Sequence, residues 1–166
     1  MDNVNRIRVG FFAPDFVLKD SEGKKYKLSD FLRRRNLLLF FCLGKRSQFC
    51  LDWLDELNRF YNHIQLKETE ILSFTQDERW ISHRIKEEKK IRFPILKIES
   101  DLRFNPPTPS VTQQYGVQAN KSEGENLYPA IFLVNKSGII CYRKVYTQPT
   151  KKLNTKELLC ELNKLS

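Results

Sequence analysis

The residues Leu37-Leu38-Leu39-Phe40-Phe41-Cys42-Leu43 form an unbroken apolar run. It is short for a helix and offers no polar position to a solvent-facing side. A strand buried on both faces, as at the centre of a parallel sheet, is the element that fits it. Gly44, Lys45 and Arg46 then make a short basic loop. From Ser47 to about Lys67 apolar residues recur at helical spacing (Leu51, Leu54, Leu57, Tyr61, Ile64), with Asp52, Asp55, Glu56, Asn58 and Arg59 between them. Ser47 suits the N-cap, which puts Cys50 in the first helical turn. A thiol there meets the positive end of the helix dipole, which stabilises its anion. Lys45 and Arg46 would add a cationic field, against which Asp52 and Asp55 would act.

The rest of the chain supports an α/β sheet. Ala13–Leu18 and Lys25–Leu28 read as short extended pieces around the turn cluster Asp20-Ser21-Glu22-Gly23. Ser29 resembles a helix N-cap opening a short helix over Phe31–Arg35. Glu70–Thr75 is a second short buried strand, and an amphipathic helix runs from Asp77 to Lys90. Phe93–Ile98 is a third strand with a proline near its entry. The segment Asn105–Pro109 is loop, Ser110–Tyr115 a short helix closed by Gly116, and Gln118–Asn126 a polar surface loop. Pro129–Val134 and Ile139–Val145 flank Asn135-Lys136-Ser137-Gly138 as a hairpin, and Asn154–Leu165 is a final helix. Strand, helix, strand, helix, strand, hairpin, helix implies a sheet that is parallel in its first half and antiparallel at the hairpin. No repeat or linker divides residues 1–166, so one domain is expected.

Charge and cysteine usage narrow the function. The net charge is +9, but the basic residues are dispersed, and only Arg33-Arg34-Arg35 is dense. With no recognised binding motif beside it, this charge reads as a solvated surface rather than a nucleic-acid site. The four cysteines (Cys42, Cys50, Cys141, Cys160) have neither C-x-x-C spacing nor the density of a disulfide scaffold. With only His63 and His83 beside them, a structural zinc site is not expected, and no cofactor is called for. Met1–Gly10 lacks the apolar core of a signal peptide, and no window reaches the length of a membrane span. The expected compartment is the reducing cytoplasm, where a thiol is either buried and inert or catalytic.

Several motifs in order resemble the peroxiredoxins and the wider thioredoxin-like superfamily over nearly the whole chain. Gly10-Phe11-Phe12-Ala13-Pro14-Asp15-Phe16 and Leu28-Ser29-Asp30-Phe31 look like that family's G-x-x-A-P-D-F and L-S-D-F segments. Ser82-His83-Arg84, Phe93-Pro94-Ile95-Leu96 and Tyr115-Gly116-Val117 have counterparts in the bacterioferritin-comigratory type. The resemblance implies a thioredoxin-like fold, a central mixed sheet flanked by helices with a peroxiredoxin-type N-terminal extension. It also implies an antioxidant thiol peroxidase that reduces hydrogen peroxide or alkyl hydroperoxides. The expected partners are the hydroperoxide and an external thiol reductant such as a thioredoxin or glutathione system, with a homodimer common in the family.

On the family's active-site pattern P-x-x-x-[TS]-x-x-C, Cys50 falls on the peroxidatic cysteine and Ser47 on the hydroxyl that meets the peroxide. Ser47 is also explained as a plain N-cap. Leu43 stands where the pattern has its shielding proline. Pro129 stands where these enzymes carry the arginine that lowers the thiol pKa. A proline there resembles the thioredoxin branch, whose first active-site cysteine would fall on Ser47. Arg46, and with less geometric warrant Arg143, are candidates to replace the missing arginine. Cys42, on the strand where many relatives have a tyrosine, is either a resolving thiol or a small apolar core residue. Asp55 occupies the usual helical resolving position. Two other readings stay open, a single-cysteine thiol–disulfide oxidoreductase and a redoxin-fold protein without peroxidase activity.

Overall fold

The computed structural model describes residues 7–99, 110–118, 127–147 and 153–165. The predicted loop at Asn105–Pro109 and most of that after Gln118 lie outside them. Five strands make the main sheet in the order β5 (Ile95–Lys97), β4 (Thr69–Thr75), β3 (Asn36–Phe41), β6 (Ala130–Val134), β7 (Ile140–Val145). β3, β4 and β5 are parallel, while β6 and β7 are antiparallel to their neighbours. The predicted mixed sheet is therefore present, flanked by helices. Its hairpin carries a register irregularity between Leu133 and Val134. All six residues of β3 are buried, Asn36 at its start included, as a central strand covered on both faces requires.

The two faces of β3 are packed differently, because successive side chains point to opposite sides. On one face Phe41 stacks on Phe74 with ring centroids 4.5 Å apart, and meets Tyr115 and Phe132 at 5.4 and 5.7 Å. On the other, Phe40 lies 5.6 Å from Trp53 of the helix α1 (Gln48–Arg59). Each fully buried aromatic ring contributes about 2–3 kcal/mol of hydrophobic stabilisation.

The N-terminal motifs serve the fold. β1 (Val17–Lys19) and β2 (Lys25–Lys27) form a separate antiparallel pair. Asp15 Oδ1 accepts from the Phe16 N–H at 2.9 Å and the Ser29 N–H at 3.2 Å, tying the two opening motifs together. The Tyr115 hydroxyl donates to the Pro14 carbonyl at 2.6 Å. Ser29 caps no helix here. Leu28–Asp30 is a 3-10 turn without a side-chain cap, and turns follow where a helix over Phe31–Arg35 was expected. Arg33, at φ 67°, sends its N–H to the Lys136 carbonyl at 2.8 Å, which ends any helical run.

The long helix predicted after Ser47 is broken into α1 and α2 (Tyr61–Leu66). In an unbroken helix the Asn58 carbonyl would accept from the Asn62 N–H. Here the Arg92 guanidinium takes it at 2.6 Å, and the chain turns at Phe60. The helix expected from Asp77 is α3 (Arg79–Lys89), which starts two residues later because Asp77 is used elsewhere. α4 (Val111–Gln114), followed by Gly116 at φ 67°, and α5 (Thr155–Asn163), capped by Asn154, lie where periodicity puts them. No helix among the described residues is long and apolar enough to cross a membrane.

Candidate active site

The site forms where β3 ends and α1 begins. The Cys42 N–H donates to the Phe74 carbonyl at 2.9 Å, which carries the strand one residue past its named end. Leu43, Gly44, Lys45 and Arg46 then turn the chain through a 3-10 segment into the N-cap Ser47. Ser47 Oγ accepts from the Cys50 N–H at 3.2 Å, so the predicted cap and the place of Cys50 in the first turn are present. This turn relies on Gly44, which adopts φ 83°. A Cβ there would overlap the Asp77 carboxylate and lie 2.6 Å from Thr75 Oγ1. Asp77 in turn accepts the Lys45 N–H at 2.7 Å and sends its own N–H to Thr75 Oγ1 at 3.2 Å. Sequence reasoning missed this clasp. Its one signal was the glycine between an apolar strand and a helix.

The two thiols of this region come together. Cys42 and Cys50 are both buried free thiols, close enough that each shifts the other's pKa. Cys50 Sγ accepts from the Leu43 N–H at 3.1 Å, and Cys42 Sγ accepts from the Gly44 N–H at 3.2 Å. The Cys42 hydrogen bond is the main cause that lowers the Cys50 pKa. Burial opposes it, while the Leu43 amide, the Ser47 hydroxyl and the Gly44 amide reinforce it. The Cys42 pKa is raised well above the ordinary thiol range, first by its hydrogen bond to Cys50 and then by burial. Of the two thiols, Cys50 is therefore the one that gives up its proton first.

This changes the meaning of two departures from the family pattern. Leu43 is buried, and its N–H is a donor to the Cys50 sulfur that a proline lacks. Its φ of −73° is one proline also adopts. Leu43→Pro is therefore expected to keep the turn, remove one donor and raise the Cys50 pKa. The pH dependence of Cys50 alkylation by iodoacetamide measures it, and an unchanged profile would remove the Leu43 amide from the account. Pro129 is buried, and its carbonyl accepts from the Tyr146 N–H at 2.8 Å. Phe41 pairs with Ala130, so the next positions along that register set Cys42 opposite Pro129. The proline thus stands across from the thiol pair.

The arginine candidates do not join the site. Arg46 is exposed, and the leading causes that lower Cys50 are hydrogen bonds rather than a cation. Arg143 pairs with Phe132, and its guanidinium lies 5.8 Å from that ring, on the Phe41 and Tyr115 side of the sheet. Cys42 shares the Phe40 side, which faces α1. Arg143 is thus on the wrong face. Cys160 is exposed on α5, and Cys141 is only partly buried on β7. The groups that favour an anion at Cys50 are neutral donors, and the sulfur is buried. Beside it Phe49 lies 4.4 Å from Trp53, and Trp53 lies 4.5 Å from Tyr146.

Comparison with known proteins identifies the family. Thiol-disulfide oxidoreductase ResA of Bacillus thuringiensis subsp. konkukian is 30% identical over 156 residues, covering 94% of this chain and 77% of that protein. Peroxiredoxin Bcp of Escherichia coli is 27% identical over 147 residues, covering 82% and 85% respectively. Among solved structures, a peroxiredoxin-like protein from Aquifex aeolicus superposes with a TM-score of 0.80 at 16% identity, over 96% of this chain and 88% of that one. At that identity the likeness is one of fold. The AhpC/TSA family model matches residues 9–143, which span the opening motifs, the thiol pair and the hairpin, and the chain belongs to that family.

Proposed function

We propose that the chain is a thiol peroxidase in which Cys50 attacks a hydroperoxide. The observation that carries this is the setting of Cys50, a sulfur in the first turn of α1 that accepts a hydrogen bond from the Leu43 amide and whose pKa is lowered. The thiolate is the nucleophilic form of cysteine. It attacks one peroxide oxygen, the O–O bond breaks, and Cys50 becomes a sulfenic acid as the other oxygen leaves as an alkoxide or hydroxide that takes up a proton. Ser47 has two roles in this reading, capping α1 and presenting its hydroxyl beside the sulfur. An external thiol of the thioredoxin or glutathione kind returns the oxidised protein to its thiol state. Residues 1–166 act as one redoxin domain, and the whole reaction needs no cofactor.

A second reading, thiol–disulfide exchange, is favoured by Pro129 opposite Cys42 and by the likeness to the ResA proteins. The two separate by kinetics. Stopped-flow oxidation of the reduced chain by hydrogen peroxide or cumene hydroperoxide is expected to outrun its reaction with a glutathione mixed disulfide at equal concentration. If the mixed disulfide reacts faster and peroxide reacts no better than with free cysteine, the exchange reading replaces the peroxidase one.

A further inference from the structure

We propose that Cys42 is the resolving thiol of this site, closing an intramolecular disulfide with Cys50 during each turnover. The proposal rests on the peroxidase reading of Cys50 and supplies its second step. The position usual for a resolving cysteine in the helix holds Asp55, whose carboxylate is engaged with Lys89 at 2.7 Å. Cys42 lies instead at the end of β3, on the face that packs against α1.

Several contacts gather the two sulfurs. Each accepts from a backbone N–H of the same turn, Cys50 from Leu43 at 3.1 Å and Cys42 from Gly44 at 3.2 Å. Leu43 has helical φ and ψ of −73° and −15°, which brings these consecutive amides close together. The sulfurs thus sit on adjacent amides of one turn, close enough for each thiol to shift the other's pKa. A resolving thiol remote from the reactive one must wait for local unfolding to reach it. Here the partner already shares the turn that begins α1.

The step balances without a further oxidant. Hydroperoxide converts the Cys50 thiolate to sulfenic acid, and the Cys42 sulfur then attacks the Cys50 sulfur. The new S–S bond forms as the S–O bond breaks, and hydroxide leaves, taking the Cys42 proton as water. The raised pKa of Cys42 fits a thiol that keeps its proton while Cys50 is the anion. Once Cys50 is oxidised that anion is gone, and the main cause holding the Cys42 proton goes with it. An external dithiol reduces the disulfide and restores both thiols.

The test is product identity in the full chain after one equivalent of hydrogen peroxide. Remaining thiols are alkylated under denaturing conditions and located by peptide mapping. The expected product has lost two thiol hydrogens, carries a Cys42–Cys50 link and leaves Cys141 and Cys160 alkylated. In Cys42→Ala the link disappears, Cys50 is trapped as sulfenic acid by dimedone, and excess peroxide drives it on to sulfinic acid. A sulfenic acid at Cys50 with Cys42 still alkylated in the wild-type chain would overturn the proposal and leave the peroxidase reading standing. A link from Cys50 to Cys160 of another copy would also overturn it. An unoxidised Cys50 would overturn both.

Discussion

Cys50→Ser is expected to reduce hydroperoxide consumption to the uncatalysed background while leaving the fold intact. The substituted oxygen is close in size to sulfur and can keep the Leu43 N–H as a donor, so the loss is chemical. A serine hydroxyl with no adjacent base remains protonated at neutral pH and does not break the peroxide bond. The wild-type pH profile gives the complementary sign. Thiolate is the reactive form, so the rate rises with pH through the Cys50 pKa and then levels. The lowered pKa sets that rise below the ordinary thiol range, and acidification through it removes activity. Cys50→Ser also frees Cys42 from the hydrogen bond and charge that raise its pKa, so its alkylation by iodoacetamide should become detectable at lower pH than in the wild type. Peroxide turnover persisting in this variant would move the reactive thiol elsewhere. An unchanged Cys42 profile would show that the two thiols do not share a proton.

The parts of this site that were legible in the sequence were those set by local chemistry. The apolar run fixed a central strand because no water-facing residue interrupts it, and Ser47 fixed the helix start because its hydroxyl satisfies a free amide. Cys50 in the first turn followed from these two. The break at Phe60 was not legible, since it depends on Arg92 reaching back to Asn58 across more than thirty positions of chain. The helix expected after Ser29 failed for the same reason. The local pattern was sound, but Arg33 sends its N–H to the Lys136 carbonyl from a positive φ.

Electrostatic roles were harder still to read. Arg46 and Lys45 stand beside Cys50 in sequence, yet Arg46 is exposed and the Lys45 backbone serves Asp77. Leu43 looked like the loss of a shield because a side chain was being compared. Its structural consequence lies in the main chain, as a donor that proline cannot supply. Pro129 likewise looked like the loss of a cation. The fold places it across from Cys42, where two thiols and neutral donors stabilise the anion without a guanidinium.

Gly44→Ala is expected to cost about 2–4 kcal/mol of stability and to disturb the thiol pair at the same time. At φ 83° an alanine carries the strain of the left-handed region, which contributes about 1–2 kcal/mol. The remainder comes from the Cβ, which would overlap the Asp77 carboxylate and crowd Thr75 Oγ1 at 2.6 Å. Neither side chain yields freely, because the Asp77 carboxylate is held by the Lys45 N–H and Thr75 Oγ1 accepts the Asp77 N–H. Relief of the clash would tilt the turn that aims the Leu43 and Gly44 amides at the sulfurs, so the Cys50 pKa should rise with the loss of stability. Urea denaturation and the pH profile of alkylation read the two effects separately. Asp77→Ala provides the internal control. With the carboxylate gone, adding Gly44→Ala should cost little beyond the backbone strain and the Thr75 contact, and the double-mutant cycle should show a coupling of about 1 kcal/mol or more. Strictly additive losses would mean that the glycine serves its φ alone, and that the Asp77 clasp does not hold the turn against the thiols.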